Sequence, residues 1–155
     1  GKHHIDAEPV LRDIPEISTH EDMEKILEKY DGSHPLFFFL ISGRLPDVNR
    51  SWCPYCRLAE IPVEYHYLKY APQERKLVKI KVASTYGAWR SPGNPFKVDT
   101  RLNTRGVPAL LKVTRTVEGE FTFERYPESL IDLPGLMELF KSSADKMAVR
   151  EAPEI

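Results

Sequence analysis

Cysteine is scarce in this sequence: two residues in 155, Cys53 and Cys56. A disulfide-stapled secreted scaffold is therefore excluded, and so is a four-cysteine zinc site within one chain. Neither charge sign is in excess, since 22 basic and 23 acidic residues leave a net charge of -1. That balance argues against nucleic-acid binding, whose electrostatic affinity needs clustered, uncompensated Lys and Arg. No apolar run approaches the ~20 residues needed to cross a bilayer, and the longest, Leu36 to Ile41, is strand-sized. A membrane protein is not expected. Repeats and low-complexity blocks are missing, and the 13 prolines and eight glycines are scattered instead of gathered in a linker. No secretory signal is read, although one removed earlier would leave no trace.

What is present suits one packed domain: hydrophobic residues make up 41% and charged residues 29%. Residues 1–9 are expected to lie outside it, as a disordered segment, a non-native remnant or the cut end of a longer chain; the pair His3-His4 there holds no metal geometry. The domain is expected over residues 10–147, with residues 148–155 as a flexible tail.

Along the chain, Val10 to Ile17 reads as a short edge strand, because Pro15 cannot donate to a central ladder. Ser18 and Glu21 fit a capping box, and Met23, Ile26, Leu27 and Tyr30 then recur at helical spacing up to Asp31-Gly32. Leu36 to Ile41 suits a strand covered on both faces. Ser42 to Ser51 is a polar loop, followed by a helix whose apolar face is Leu58, Ile61, Tyr65 and Leu68, kinked at Pro62. A strand at Leu77 to Val82, a connection over Ala83 to Asn94, a short helix at Phe96 to Leu102 and a hairpin at Ala109 to Tyr126 follow. Leu133 to Met147 closes the domain as a helix. This order is an α/β fold, a compact mixed sheet with helices on both faces.

The two cysteines sit two residues apart, which suits a metal half-site, a redox couple or coincidence. A metal site needs two further ligands, and His34 and His66 lack the paired spacing that such sites show. Redox chemistry needs Cys53 at a helix N-terminus and Cys56 one turn further along, which is what strand, loop, C-x-x-C and periodic helix supply. Pro54 then falls in the first helical turn, where its missing N–H is harmless. The helix N-terminus stabilises a thiolate on Cys53, Arg57 adds a cation, and Cys56 keeps a higher pKa and resolves the mixed disulfide. Metal and cofactor are not required by this reading.

A second signal is Gly106-Val107-Pro108-Ala109, a proline just before a predicted strand. A cis Val107–Pro108 bond explains it and leaves the Val107 backbone free to pair with a docked peptide. An ordinary trans proline opening an edge strand is the alternative.

These residues resemble the thioredoxin superfamily, and within it the thioredoxin-related family of thioredoxin domain-containing protein 17, called Clot-like in plants. The resemblance spans about Ile17 to Phe140 and is carried by Phe37-Phe38-Phe39, an extended loop, Ser51-Trp52-Cys53-Pro54-x-Cys56 and Ala59-Glu60. Trp89, Pro92, Asn94 and Phe96 follow, then Val107-Pro108-Ala109-Leu110-Leu111-Lys112. It implies a thioredoxin-like fold and a cytoplasmic reductase of protein or small-molecule disulfides, recharged by a thioredoxin reductase-like donor. Cys53 maps to the nucleophile, Cys56 to the resolving thiol and Pro108 to the substrate-side cis-proline. Tyr55 departs from the family, which has Asp there, and makes the motif read like a dithiol glutaredoxin.

Ordinary thioredoxins carry a buried carboxylate in the strand before the active site, and Leu36 to Ile41 has none. Glu60 or water are the substitutes, with Glu60 expected as a solvated helix residue. Trp52 is expected at the active-site rim, Trp89 and Phe96 within the long connection, and Arg44, Asp47 and Arg50 on a solvated loop face. The runner-up is a glutathione-coupled reductase, for which Arg57, Lys112 and Arg105 are the available cations. A non-catalytic binding module, or a metal bridged through Cys53 of two chains, is the reading from another class.

Overall fold

A computed structural model of the chain describes residues 12–104 and 106–141. In chain order these form β1 (Glu16–Ile17), α1 (His20–Lys29), β2 (Leu36–Ile41), β3 (Arg44–Leu45), β4 (Arg50–Ser51), α2 (Pro54–Tyr70) and β5 (Lys76–Lys81). Then come α3 (Tyr86–Arg90), α4 (Pro95–Val98), β6 (Ala109–Arg115), β7 (Phe121–Arg125) and α5, helical over 133–141. The main sheet has the order β1-β5-β2-β6-β7. Its β1, β5 and β2 run parallel, while β6 and β7 are antiparallel to their neighbours.

The aromatic strand takes the middle of that sheet. β2 pairs from Leu36↔Lys76 to Ile41↔Lys81 on one side and from Leu36↔Val113 to Leu40↔Ala109 on the other. All six of its residues are buried, as a strand covered on both faces must be. Alternation divides them between two cores. Leu36, Phe38 and Leu40 pack with Met23 and Leu27 of α1 and with Trp89 and Phe96, whereas Phe37, Phe39 and Ile41 meet Ala59, Val63 and Tyr67 of α2 and Leu136 and Phe140 of α5.

Several local expectations shift. The N-cap of α1 is Thr19, which accepts from the Asp22 N–H at 3.1 Å, and not Ser18. Pairing of β1 runs to Ile17, and the chain is still extended at Thr19 (φ -122°, ψ 148°), so the helix starts one residue later than the box suggests. Among the described residues, only Glu16–Ile17 forms the edge strand, although the Pro15 carbonyl accepts from the Lys79 N–H at 2.9 Å. Residues 1–11 and 142–155, which include the start of that expected strand, the end of the expected last helix and both expected tails, lie outside the described residues.

The polar loop over 42–51 holds a small hairpin, β3 against β4, turned through Asn49 at φ 49°. The connection over 83–94 contains α3, and the helix expected at Phe96 to Leu102 is the shorter α4, capped by Asn94.

The face of α2 is the largest correction. Cys56, Ala59, Val63, His66 and Tyr67 are buried, while Leu58, Ile61 and Tyr65 are exposed and Leu68 is half-buried. Apolar residues occur on both sides of this helix, so periodicity of size alone does not choose between them. The helix continues across Pro62 to Tyr70, with the His66 ring Nδ1 at 2.8 Å from the Pro62 carbonyl.

Candidate active site

The site forms where β2 and β4 both end. Past β2 the chain turns at Ser42-Gly43, crosses the β3–β4 hairpin and returns through Ser51-Trp52 to Cys53, which caps α2. Pro54 occupies the first helical turn, where its missing N–H leaves one fewer donor to satisfy. Cys53 sits at φ -114°, ψ 107°, and its Sγ accepts from the Cys56 N–H at 3.2 Å. That bond strengthens when the sulfur is negative, as charge-assisted hydrogen bonds do. Both cysteines are reduced and buried, Cys53 at 6% exposure and Cys56 at 1%. Burial is the main cause that pushes the Cys56 thiol well above its ordinary pKa, and the neighbouring Cys53 adds to it. The neighbouring Ser42 pulls the other way.

Val107–Pro108 is cis, and the Val107 carbonyl lies 3.7 Å from Cys53 Sγ. The dithiol and the proline loop, 54 residues apart in sequence, are therefore in contact. A cleft of about 240 Å³ opens beside them, lined by Trp52, Cys53, Pro54, Tyr86, Trp89, Gly106 and Val107. Trp52 closes one wall: its Nε1–H donates to the Ala83 carbonyl at 3.0 Å, and its ring leans on Tyr86 at 5.6 Å. Ala83 also accepts from the Gly43 N–H at 2.7 Å, so one carbonyl ties the end of β2 to the tryptophan. Gly43 is needed there, because a Cβ would stand 2.8 Å from that oxygen.

The remaining candidates separate. Arg57 turns back to donate to the Ser51 carbonyl at 3.0 Å, and Tyr55 projects outward, 72% exposed. Glu60 is not a solvated residue: its side chain is 17% exposed and lies 3.2 Å from the buried Lys79 and 3.8 Å from Arg44. Position 60 is one turn beyond Cys56, where β5 presents a lysine to the helix, and a carboxylate is drawn in to pair with it. Asp47 and Arg50 are exposed on the hairpin. Trp89 and Phe96 are both core residues, and Lys97 lies over the Trp89 ring at 4.5 Å. Lys112 pairs with Glu124 at 3.2 Å, and Arg105 lies outside the described residues.

No metal ligand set joins the cysteines among the described residues. His66 is buried on α2 and His34 is exposed before β2. The one grouping of metal-ligand side chains among the described residues, His20, Glu24 and Asp99, already holds a cation, since Arg101 contacts both Asp99 and Glu24. Sequence reasoning missed Ser42, Ala83 and Tyr86. Ser42 had a faint signal, a lone hydroxyl between an all-apolar strand and a glycine.

A dithiol at a helix N-terminus, in contact with a cis-proline loop at the end of a mixed five-stranded sheet, defines a thioredoxin fold. Solved structures agree: chloroplastic thioredoxin z is similar with a TM-score of 0.54 at 16% identity, covering 88% of this chain and 98% of that one. Thioredoxin O2 from Arabidopsis thaliana gives 0.53 at 20% identity, covering 86% and 100%.

Within that fold, the family model of the thioredoxin domain-containing protein 17-like thioredoxin domain matches residues 16–138, and the chain belongs to this family. The thioredoxin-like protein Clot of Arabidopsis thaliana is 38% identical over 76 residues, 49% of this chain and 55% of that protein. Thioredoxin domain-containing protein 17 of Mus musculus is 30% identical over 92 residues, 59% of this chain and 70% of that protein. The match thus spans little more than half the length of the Clot protein. The family carries a fold of the thiol–disulfide oxidoreductase type. No helix among the described residues is long and apolar enough to cross a membrane.

Proposed function

We propose that the protein is a dithiol reductase of protein or small-molecule disulfides, with Cys53 as nucleophile and Cys56 as resolving thiol. The observation that carries this is the asymmetry of the pair: Cys53 Sγ accepts a helix N-terminal N–H at 3.2 Å beside the cleft, while Cys56 is sealed at 1% exposure behind it. The Cys53 thiolate attacks a substrate disulfide, a mixed disulfide forms, and the first substrate sulfur leaves as a thiolate that takes up a proton. Cys56 loses its proton, attacks Cys53 Sγ and expels the second substrate sulfur. The substrate gains two electrons and the protein ends as a Cys53–Cys56 disulfide. Trp52 and the Val107 backbone are the substrate-side surface of this reading, with Pro108 shaping the loop.

The electron donor proposed is a thioredoxin reductase-like flavoprotein, and the compartment is the reducing cytoplasm. Two of the three cations that a glutathione carboxylate would need are already engaged, Arg57 by Ser51 and Lys112 by Glu124, which supports that choice.

A Cys56→Ser variant offered a disulfide-bonded peptide should accumulate a stable mixed disulfide through Cys53, seen as a mass increase that dithiothreitol reverses. Wild-type protein should reduce insulin with NADPH and thioredoxin reductase. No trapped adduct and no insulin reduction would leave a non-catalytic binding module, and turnover with glutathione alone would replace the donor.

A further inference from the structure

A thiol is a poor helix cap. An N-cap side chain holds its helix by accepting from an N–H two or three residues on, which a serine or aspartate oxygen does well and a neutral sulfur does weakly. At Cys53 the bond from the Cys56 N–H is present at 3.2 Å, yet it becomes strong only when the sulfur is charged. Another contact has to hold Cys53 in its capping conformation while the sulfur is neutral or bonded to a second sulfur.

That contact is Ser51. Its Oγ accepts from the Cys53 N–H at 3.0 Å and lies 3.2 Å from the Cys53 carbonyl, so one side chain grips both ends of the same residue. The Cys53 carbonyl also accepts from the Arg57 N–H at 3.1 Å, the bond that opens α2. The Arg57 guanidinium completes the circuit by donating to the Ser51 carbonyl at 3.0 Å. Ser51 is 4% exposed and its hydroxyl is hydrogen-bonded to that of Ser42, which keeps the grip out of water. Residues 51, 53 and 57 thus form a ring of hydrogen bonds around the start of the helix. The Cys53 sulfur is left outside this ring, between the Cys56 N–H and the cleft.

Elsewhere around Cys53, β2 is apolar and the segment over 107–110 is uncharged. The titratable side chains bordering it are Cys56 in the next turn and Tyr86 across the cleft, while Arg50 and Tyr55 are exposed. We propose that Ser51 and Arg57 are positioning residues for the nucleophile: they lock the Cys53 backbone so that its sulfur stays in line with the Cys56 N–H whatever its protonation state. Arg57 then acts through the Ser51 carbonyl and not as a cation beside the thiolate. The inference rests on the dithiol reading above and concerns its first chemical step.

The test is a single turnover with 2,2′-dipyridyl disulfide, which is uncharged near neutral pH, so Arg57 cannot act by attracting it. Cys53 loses its proton and bonds to one reagent sulfur, and the departing sulfur takes up a proton as the first thiopyridone. Cys56 then displaces the second thiopyridone and closes the Cys53–Cys56 disulfide. In Ser51→Ala the first release should slow about tenfold near neutral pH, with its pH profile displaced about one unit upward, the effect of one lost hydrogen bond. The second release should stay within about threefold of wild type. Arg57→Met changes an exposed side chain and should slow the first release about threefold. That difference should persist in about 1 M NaCl, which screens exposed charges. First releases that match wild type, equal slowing of both releases, an unmoved pH profile in Ser51→Ala, or an Arg57→Met difference that salt abolishes would each overturn the proposal. Should Ser51→Ala fail to fold, the Arg57→Met measurements decide alone. Failure of the dithiol reading itself looks different: wild-type protein would then release one equivalent or none.

Discussion

Replacing Lys79 by Met probes how α2 is held to the sheet. The Lys79 ammonium lies 2.8 Å from Glu64, 3.2 Å from Glu60 and 3.3 Å from Glu16, and its side chain is only 9% exposed. Burial disfavours the charged form, yet Glu64 and Glu60 outweigh it and hold the ammonium pKa above the ordinary lysine value. Methionine keeps the stem and its packing, so the change removes charge with little cavity. Removing one partner of a buried ion pair costs about 3–5 kcal/mol. Glu16 is 43% exposed and contributes little through solvent, and Glu64 at 28% is partly screened. About 2–3 kcal/mol is therefore expected for Lys79→Met near pH 7, read from urea unfolding midpoints at unchanged slope.

The pH dependence fixes the sign. The raised Lys79 pKa contributes stability that is complete below the unfolded value of 10.5 and is lost as pH rises through the folded value. Glu16, lowered chiefly by its hydrogen bond with Lys81, contributes stability above 4.5 that is lost as pH falls through its folded value. Both contributions are complete near pH 7. In the variant Glu60 and Glu64 repel across one helical turn, and acid relieves that repulsion. The gap between variant and wild type should narrow from about pH 7 to about pH 4. A loss below ~0.5 kcal/mol, a gain in stability, or a gap that widens on acidification would refute the reasoning.

Two further outcomes follow from single contacts. Burial alone would raise the Asp99 pKa, but hydrogen bonds from Arg101 and His20 pull it down to about 2, so its contribution to stability is complete above 3.8 and is lost as pH falls from 3.8 through about 2. Because Arg101 is 38% exposed, Asp99→Asn should cost about 1–2 kcal/mol near pH 7, with the difference disappearing by about pH 2 in urea melts. Gly43→Ala should cost about 1–3 kcal/mol by calorimetry, since its Cβ would meet Ala83 O at 2.8 Å and Ser84 Cα at 3.0 Å, both backbone atoms. A neutral Gly43→Ala would mean that the Ser42 turn is not held as described.

Legibility tracks how local each determinant is. The central strand could be read because six consecutive apolar residues allow few other placements, and Cys53 as a cap because strand, loop and Pro54 surround it. The β3–β4 hairpin was invisible, since two residues per strand leave no alternation to see. On α2, Leu58, Ile61 and Tyr65 form an apolar row, yet the sheet chose the face with Cys56, Ala59, Val63 and Tyr67. The anchor at Cys53 sets the rotation of this helix, and a small residue at position 59 lets it approach β2 closely. Glu60 was misread for a different reason: its partner Lys79 is 19 residues away on another element, and no local pattern marks that pairing.

The composition of β2 also explains where polarity around the dithiol had to go. Phe37, Phe39 and Ile41 face α2 directly beneath Cys53 and Cys56, so no side chain of that strand can hydrogen-bond a thiol. The first polar side chain beyond it is Ser42, immediately past the pairing with β5, which ends at Ile41↔Lys81. The Ser42 hydroxyl is buried there and needs a partner inside the protein. Ser51, delivered by the hairpin to the same spot, completes the set while fixing the Cys53 backbone. The loop over 42–51 is thus more than a surface extension, because its two end residues form a buried hydroxyl pair that binds the Cys53 backbone.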